Sequence, residues 1–217
     1  MKIPNESTEN QTSEKPVLTT AARSRSRTSY IALMGILAAL SVAMMYMLQI
    51  PLIPAAPFLL YDMADIPILI GTLFLGPTAG LILTVIVAVI QGVTVNASGS
   101  IIGVIMHILA TGAFVLTTGL LRKAFPKHSI FPVVSGMIAM TLIMIPANLI
   151  LTPLYTGSTA AEVANYLVPA IIPFNLLKAG INGSLALGIF QLMKRAFPRF
   201  YREPQRFFRA VGEKKDV

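Results

Sequence analysis

Six apolar runs divide this chain, at about Tyr30–Leu48, Asp65–Leu75, Thr78–Val95, Ser100–Arg122, Phe131–Leu151 and Val168–Lys194, each bounded by Gly, Pro, Asn or a basic cluster. A helix needs roughly 20 such residues to cross about 30 Å of hydrocarbon, where each backbone polar group must find its partner inside the segment. The pattern predicts an all-α, multi-pass membrane protein with six transmembrane helices. The second run is too short to span alone and is expected to cross only part of the bilayer, sheltered by its neighbours. Composition agrees, with 55% hydrophobic and 12% charged residues and a mean hydropathy of +0.74. Zero cysteines exclude disulfides and thiolate metal sites, and two histidines are too few for a metal cage.

The net charge of +8 invites a nucleic-acid reading, but the cations gather at the chain ends and in one short loop. There they read as membrane topology. With a basic amino tail inside, six crossings return the segment holding Arg122, Lys123 and Lys127 and the carboxyl tail to the same side. That tail carries Lys194, Arg195, Arg199, Arg202, Arg206 and Arg209. The opposite face receives Gln49–Asp62, Asn96–Gly99 and Thr152–Leu167, which contain no Lys or Arg. Tyr61, Tyr155 and Tyr166 are candidate interfacial anchors there. Residues 1–28 hold Arg23, Arg25 and Arg27 with little apolar surface, and read as a disordered cytoplasmic tail. The long polar lead lacks a small-residue cleavage site, which argues against a removable signal peptide. Residues 29–197 form the membrane domain and 198–217 a basic cytoplasmic tail.

Lys178 is the one basic residue deep inside an apolar run, in PFNLLKAGIN. An intramembrane charge costs a few kcal/mol unless paired or solvated, so it marks a ligand site or a tie between helices. Asn175, Lys178 and Asn182 fall at i, i+3 and i+7, one polar stripe of a helix. Asn148, after Pro146 in the preceding span, is placed to project toward it. A rise of 1.5 Å per residue from Val168 sets Asn175 and Lys178 on the order of 10–15 Å below the outer surface, so the pocket opens outward. Amides offer donor and acceptor and lysine offers donors, which suits a neutral ligand rich in carbonyls, ring nitrogens or hydroxyls. Gln91 and His107 either join this site or bridge helices. His128 lies in the cytoplasmic loop and is solvated.

The outward segment IPLIPAAPFLLYDMADIP carries prolines that forbid a regular helix and apolar residues that resist full solvation. It reads as a lid over a pocket, with Pro57, Phe58, Leu59, Leu60 and Tyr61 as its wall, or as a connector in the headgroup region. Asp65, just before Ile66-Pro67, is placed like an N-cap; a metal or acid–base role for Asp62 and Asp65 is the other reading. In the first helix Gly35, Ala39 and Ala43 recur every four residues, a smooth stripe that lets another helix approach or serves internal packing. Gly71–Thr78 mimics phosphate-loop glycine spacing, but proline replaces the lysine. No HExxH or G-x-S-x-G occurs, so neither ATP hydrolysis nor another catalytic activity is expected.

PFLLYDMADIPILIGTLFLGPTAG after the first span, HILATGAF in the fourth, PANLILTP in the fifth and PFNLLKAGIN in the sixth resemble the riboflavin-specific substrate-binding S component of energy-coupling factor (ECF) transporters. The similarity covers most of residues 30–195; YD-x-x-DIP and N-x-x-K are specific in combination. The resemblance implies an S-component bundle in a bacterial cell membrane and capture of riboflavin from outside. Delivery would go to a module of one transmembrane coupling protein and two ATPase subunits, with no cofactor. It also implies that Asn148, Asn175 and Lys178 contact the ligand and that Gly35, Ala39 and Ala43 dock on the coupling protein. Gly35 departs from the alanine of many relatives, and the arginine-bearing tail lies outside the resemblance. An S component for another vitamin and a membrane enzyme using Asp62, Asp65 and His107 are the alternatives.

Overall fold

The computed structural model of the chain describes residues 20–54, 56, 59–94 and 100–196. Helix α1 (Thr20–Met47) leads into a ribbon of two short antiparallel strands, β1 (Ile50–Pro51) and β2 (Leu60–Tyr61), paired Ile50 to Tyr61 and Pro51 to Leu60. There follow α2 (Asp65–Leu75), α3 (Pro77–Thr94), α4 (Ser100–Ala124) and α5 (Ile130–Thr156). The last segment runs through α6 (Ala160–Tyr166), a π-helical turn (Leu167–Ile171) and α7 (Ile172–Ala196) without a break. Five stretches are long and apolar enough to cross a membrane: Thr28–Met47, Pro77–Thr94, Ile101–Ala124, Ile130–Leu154 and Ala160–Ala196. Large apolar side chains such as Ile36, Ile82, Val89, Leu142, Ile150, Leu177 and Leu185 point outward from them, as a lipid-facing surface requires.

Helix α2 does not reach the length of a span. Its 11 residues rise about 16 Å at 1.5 Å per residue, roughly half the hydrocarbon thickness. All of them are buried, packed among α1, α3, α4 and α7. Its last carbonyls have no partner within the helix and belong to buried residues, so the protein must supply donors. Gly76, at φ 97°, returns its N–H to the Thr72 carbonyl, and Arg122 Nε donates to the Leu73 carbonyl at 3.2 Å. Arg122 therefore leaves the cytoplasmic loop assigned to it from sequence. It is buried, donates to Ser129 Oγ at 3.1 Å and lies 4.4 Å from the centre of the Phe190 ring. Lys123, Lys127 and His128 are exposed.

Other boundaries also move. The first helix starts at Thr20, within the tail read as disordered, because Ala21, Ala22 and the arginines are good helix formers that extend an already nucleated span. Residues 1–19 and 197–217 lie outside the described residues. The last helix starts at Ala160 rather than near Val168, opened by a capping box between Thr159 and Glu162. Pro169 and Pro173 withdraw two backbone donors, and the chain widens to an i→i+5 pattern, Ile172 N–H to the Leu167 carbonyl, without breaking. The proline-rich segment after α1, expected to be a loop, carries a two-stranded ribbon, so the fold is not purely helical. Its Leu59 and Tyr61 pack with Val163, Ala170, Ile171 and Phe174.

Candidate functional site

A cavity of about 210 Å³ opens between the two-stranded ribbon and helices α3, α4, α5 and α7. Asn148, Asn175 and Lys178 all line it, as do Asp62, Gln91, His107 and Thr152. Apart from Gln49 the rest of the wall is apolar and includes Leu59, Leu60, Met106, Met140, Met144 and Phe174. The periodicity of the last span puts the polar stripe on the inner face: Asn175, Lys178 and Asn182 are buried. Asn175 spends one amide N–H on the Ile171 carbonyl at 2.8 Å, within the π-turn. Asn148 donates to the Met144 carbonyl at 2.8 Å and accepts from Thr152 Oγ1 at 3.0 Å. Each amide keeps a second N–H for another acceptor.

Lys178 is not a lone cation. Its Nζ donates to Asp62 Oδ2 at 2.8 Å and stands 3.9 Å from Asp65 Oδ2. Beneath the cavity the network closes around these carboxylates. Asn182 Nδ2 donates to the Asp62 carbonyl at 3.1 Å and to Asp65 Oδ2 at 3.2 Å. Tyr61 OH donates to Asn182 Oδ1 at 2.9 Å, and Thr111 Oγ1 to Asp65 Oδ1 at 2.7 Å. Burial opposes ionisation of Asp62, but the Lys178 ammonium outweighs it and holds the carboxyl below its ordinary value. Two acidic groups and one lysine are tolerable in low dielectric because each carboxyl oxygen has a donor.

Several expectations change here. Asp65 is no N-cap: Ala64 holds that position, and the Asp65 carboxylate turns inward to Thr111 and Asn182 because a dry interior with a lysine demands a counter-charge. Asp62 instead accepts the Ala64 N–H at 3.0 Å. Asn182 belongs to the network and not to the cavity wall. Tyr61 is no interfacial anchor, being 3% exposed; Tyr166 does sit at the exposed edge. Of the lid residues, Leu59 and Leu60 line the cavity, whereas Pro57 and Phe58 lie outside the described residues, as does Asn96–Gly99. Gly35, Ala39 and Ala43 are not at the cavity but on the exposed side of α1. Lys178 ties α7 to the segment before α2 through Asp62 and also lines the cavity.

A bundle of membrane-length helices closed around a half-polar, half-apolar cavity, with a buried ion pair beneath it, is a multi-pass membrane protein built to enclose a small molecule. The family model described as "ECF transporter, substrate-specific component" matches residues 29–190, and the chain belongs to that family. It is 26% identical over 182 residues to "Riboflavin transporter RibU" of Leuconostoc mesenteroides, covering 78% of this chain and 93% of the relative. The Streptococcus thermophilus protein of the same name is 31% identical over 172 residues, 75% of this chain and 81% of that one. "Riboflavin transporter FmnP" of Bacillus subtilis is 29% identical over 149 residues, 64% and 78% of the two chains. Among solved structures, a chain described as "Structure and mechanism of the S component of a bacterial ECF transporter" aligns with a TM-score of 0.61 and 26% identity, over 80% of this chain and 98% of that one.

Proposed function

We propose that this S component captures riboflavin at the outer face of a bacterial cell membrane and releases it inward while docked on an ECF module of one transmembrane coupling protein and two ATPase subunits. The observation that carries the ligand is the wall formed by Asn148, Asn175 and Lys178 beside an apolar chamber. Their donors suit the acceptor-rich pyrimidine edge of a flavin, and the methionines, leucines and Phe174 suit its ring system. The relatives named as riboflavin transporters support the same ligand. Leu59 and Leu60 act as the lid. Energy comes from the partner ATPases, because the chain lacks a phosphate loop. Its work is binding and delivery, not chemistry.

Docking uses α1. Gly35, Ala39 and Ala43 are exposed, and a Cβ added at Gly35 would meet nothing within 4 Å, so the stripe is open to a partner helix. Five long helices with α2 as a partial sixth crossing, exposed Lys123 and Lys127 between α4 and α5, and basic ends support both termini inside. The test is riboflavin titration of detergent-purified protein, read by quenching of flavin emission. Saturable quenching at submicromolar concentration, weakened about tenfold in Asn175→Ala, is the expected result. A colourless protein that leaves flavin emission unchanged refutes riboflavin and points to another vitamin.

A further inference from the structure

Two buried polar atoms at the cavity have no partner among the described residues: Gln91 Oε1 on α3 and His107 Nε2 on α4. His107 is 9% exposed, and its Nε2 stands 3.9 Å from Asp65 Oδ1, beyond hydrogen-bond reach. Both residues line the same cavity as Asn148, Asn175 and Lys178. A buried polar atom left unsatisfied destabilises the fold, so two of them facing one chamber mark places where a ligand supplies the missing partner.

We infer that Gln91 and His107 form a second polar wall, on α3 and α4, that holds the hydroxylated chain of the flavin and so sets selectivity for riboflavin over flavins without it. The inference rests on the riboflavin reading above. The division follows from donor and acceptor inventory. Lys178 and the two asparagines present N–H groups, and a flavin ring edge is mostly acceptors with a single N–H. Gln91 Oε1 can only accept. It therefore needs a donor-rich partner, which the ribityl hydroxyls are and the ring is not. A neutral imidazole nitrogen serves a hydroxyl in either tautomer, donating to its oxygen or accepting its proton. Each wall thus meets the part of the ligand whose hydrogen-bonding groups complement it.

The experiment titrates wild type, Gln91→Met and His107→Phe with riboflavin and with lumiflavin, which has the ring and none of the hydroxyls. The expected result is that each variant loses about tenfold in riboflavin affinity and less than about twofold in lumiflavin affinity. Equal losses for both flavins, or unchanged riboflavin affinity in Gln91→Met, overturn the assignment while leaving the riboflavin reading intact. Gln91→Met, on a partly exposed residue outside the carboxylate network, decides the matter if His107→Phe does not fold. A wild-type protein that binds neither flavin overturns the riboflavin reading and this wall with it.

Discussion

Replacing Lys178 tests whether its charge serves the fold, the ligand or both. In Lys178→Met the Asp62 carboxylate loses its 2.8 Å partner and Asp65 loses a cation at 3.9 Å, while both remain buried. Removing one member of a buried pair costs about 3–5 kcal/mol. For a chain of this size each kcal/mol moves the melting temperature by about 2–4 °C, so the variant should melt about 6–20 °C below wild type. The Asp62→Asn/Lys178→Met double variant removes the 2.8 Å pair as a unit and keeps a side-chain oxygen for the Ala64 N–H, but leaves Asp65 without its cation at 3.9 Å. It should recover part of that loss and not all of it. Riboflavin affinity should stay down by about tenfold or more in both, since the donor proposed to meet the ligand is missing. Asp62 has a lowered folded pKa, so its contribution is complete above the ordinary value of 3.8 and is lost only as pH falls through the lowered one. Melts at pH 7 therefore report the intact pair. Wild-type melting in Lys178→Met refutes the buried ion pair; recovery of riboflavin binding in the double variant refutes the ligand contact.

Three further outcomes can be checked. Arg122→Met strips the Leu73 carbonyl of its donor and should destabilise the purified protein by about 1–3 kcal/mol without changing which flavins bind; an unchanged melt would mean the carbonyl is satisfied otherwise. Gly119→Ala places a Cβ 2.8 Å from Pro77 Cα and 2.9 Å from its N, a backbone contact that cannot give cheaply. A loss of about 1–3 kcal/mol is expected in thermal or denaturant unfolding. Ala39→Trp fills the exposed stripe of α1, and should abolish riboflavin uptake in cells with the coupling module yet leave binding by purified protein within about twofold, as a change at a docking face must. Lost binding there would reassign the stripe to internal packing.

Much of this was legible because bilayers restrict the options. Apolar run length found the long helices, and a 3.6-residue period placed Asn175, Lys178 and Asn182 on one inner face. What sequence reasoning missed was pairing between distant segments. Asp62 and Asp65 are the only acidic residues between Lys15 and Glu162, and a dry lysine needs a counter-charge. Elimination would have joined them to Lys178, where instead a local rule for helix starts took precedence for Asp65. Arg122 was assigned to solvent because basic residues at helix ends usually are; nothing local reveals that a short helix stops beside it with an unpaired carbonyl. The ribbon and π-turn depend on packing among prolines, which forbid regular patterns without saying what replaces them.

The enclosed position of α2 has a consequence for how the protein is made. A segment with no lipid-facing side gains nothing by inserting alone, and with Asp65 in its first turn it carries a charge into the membrane as it does so. The cation that neutralises this charge sits on α7, which follows the other described helices out of the ribosome. Until that helix arrives, the growing chain holds two acidic groups with no counter-ion, and the floor of the cavity does not exist. A chain that stops short of Lys178 is thus marked as unfinished by its own electrostatics, at the floor of the cavity that α7 helps to build.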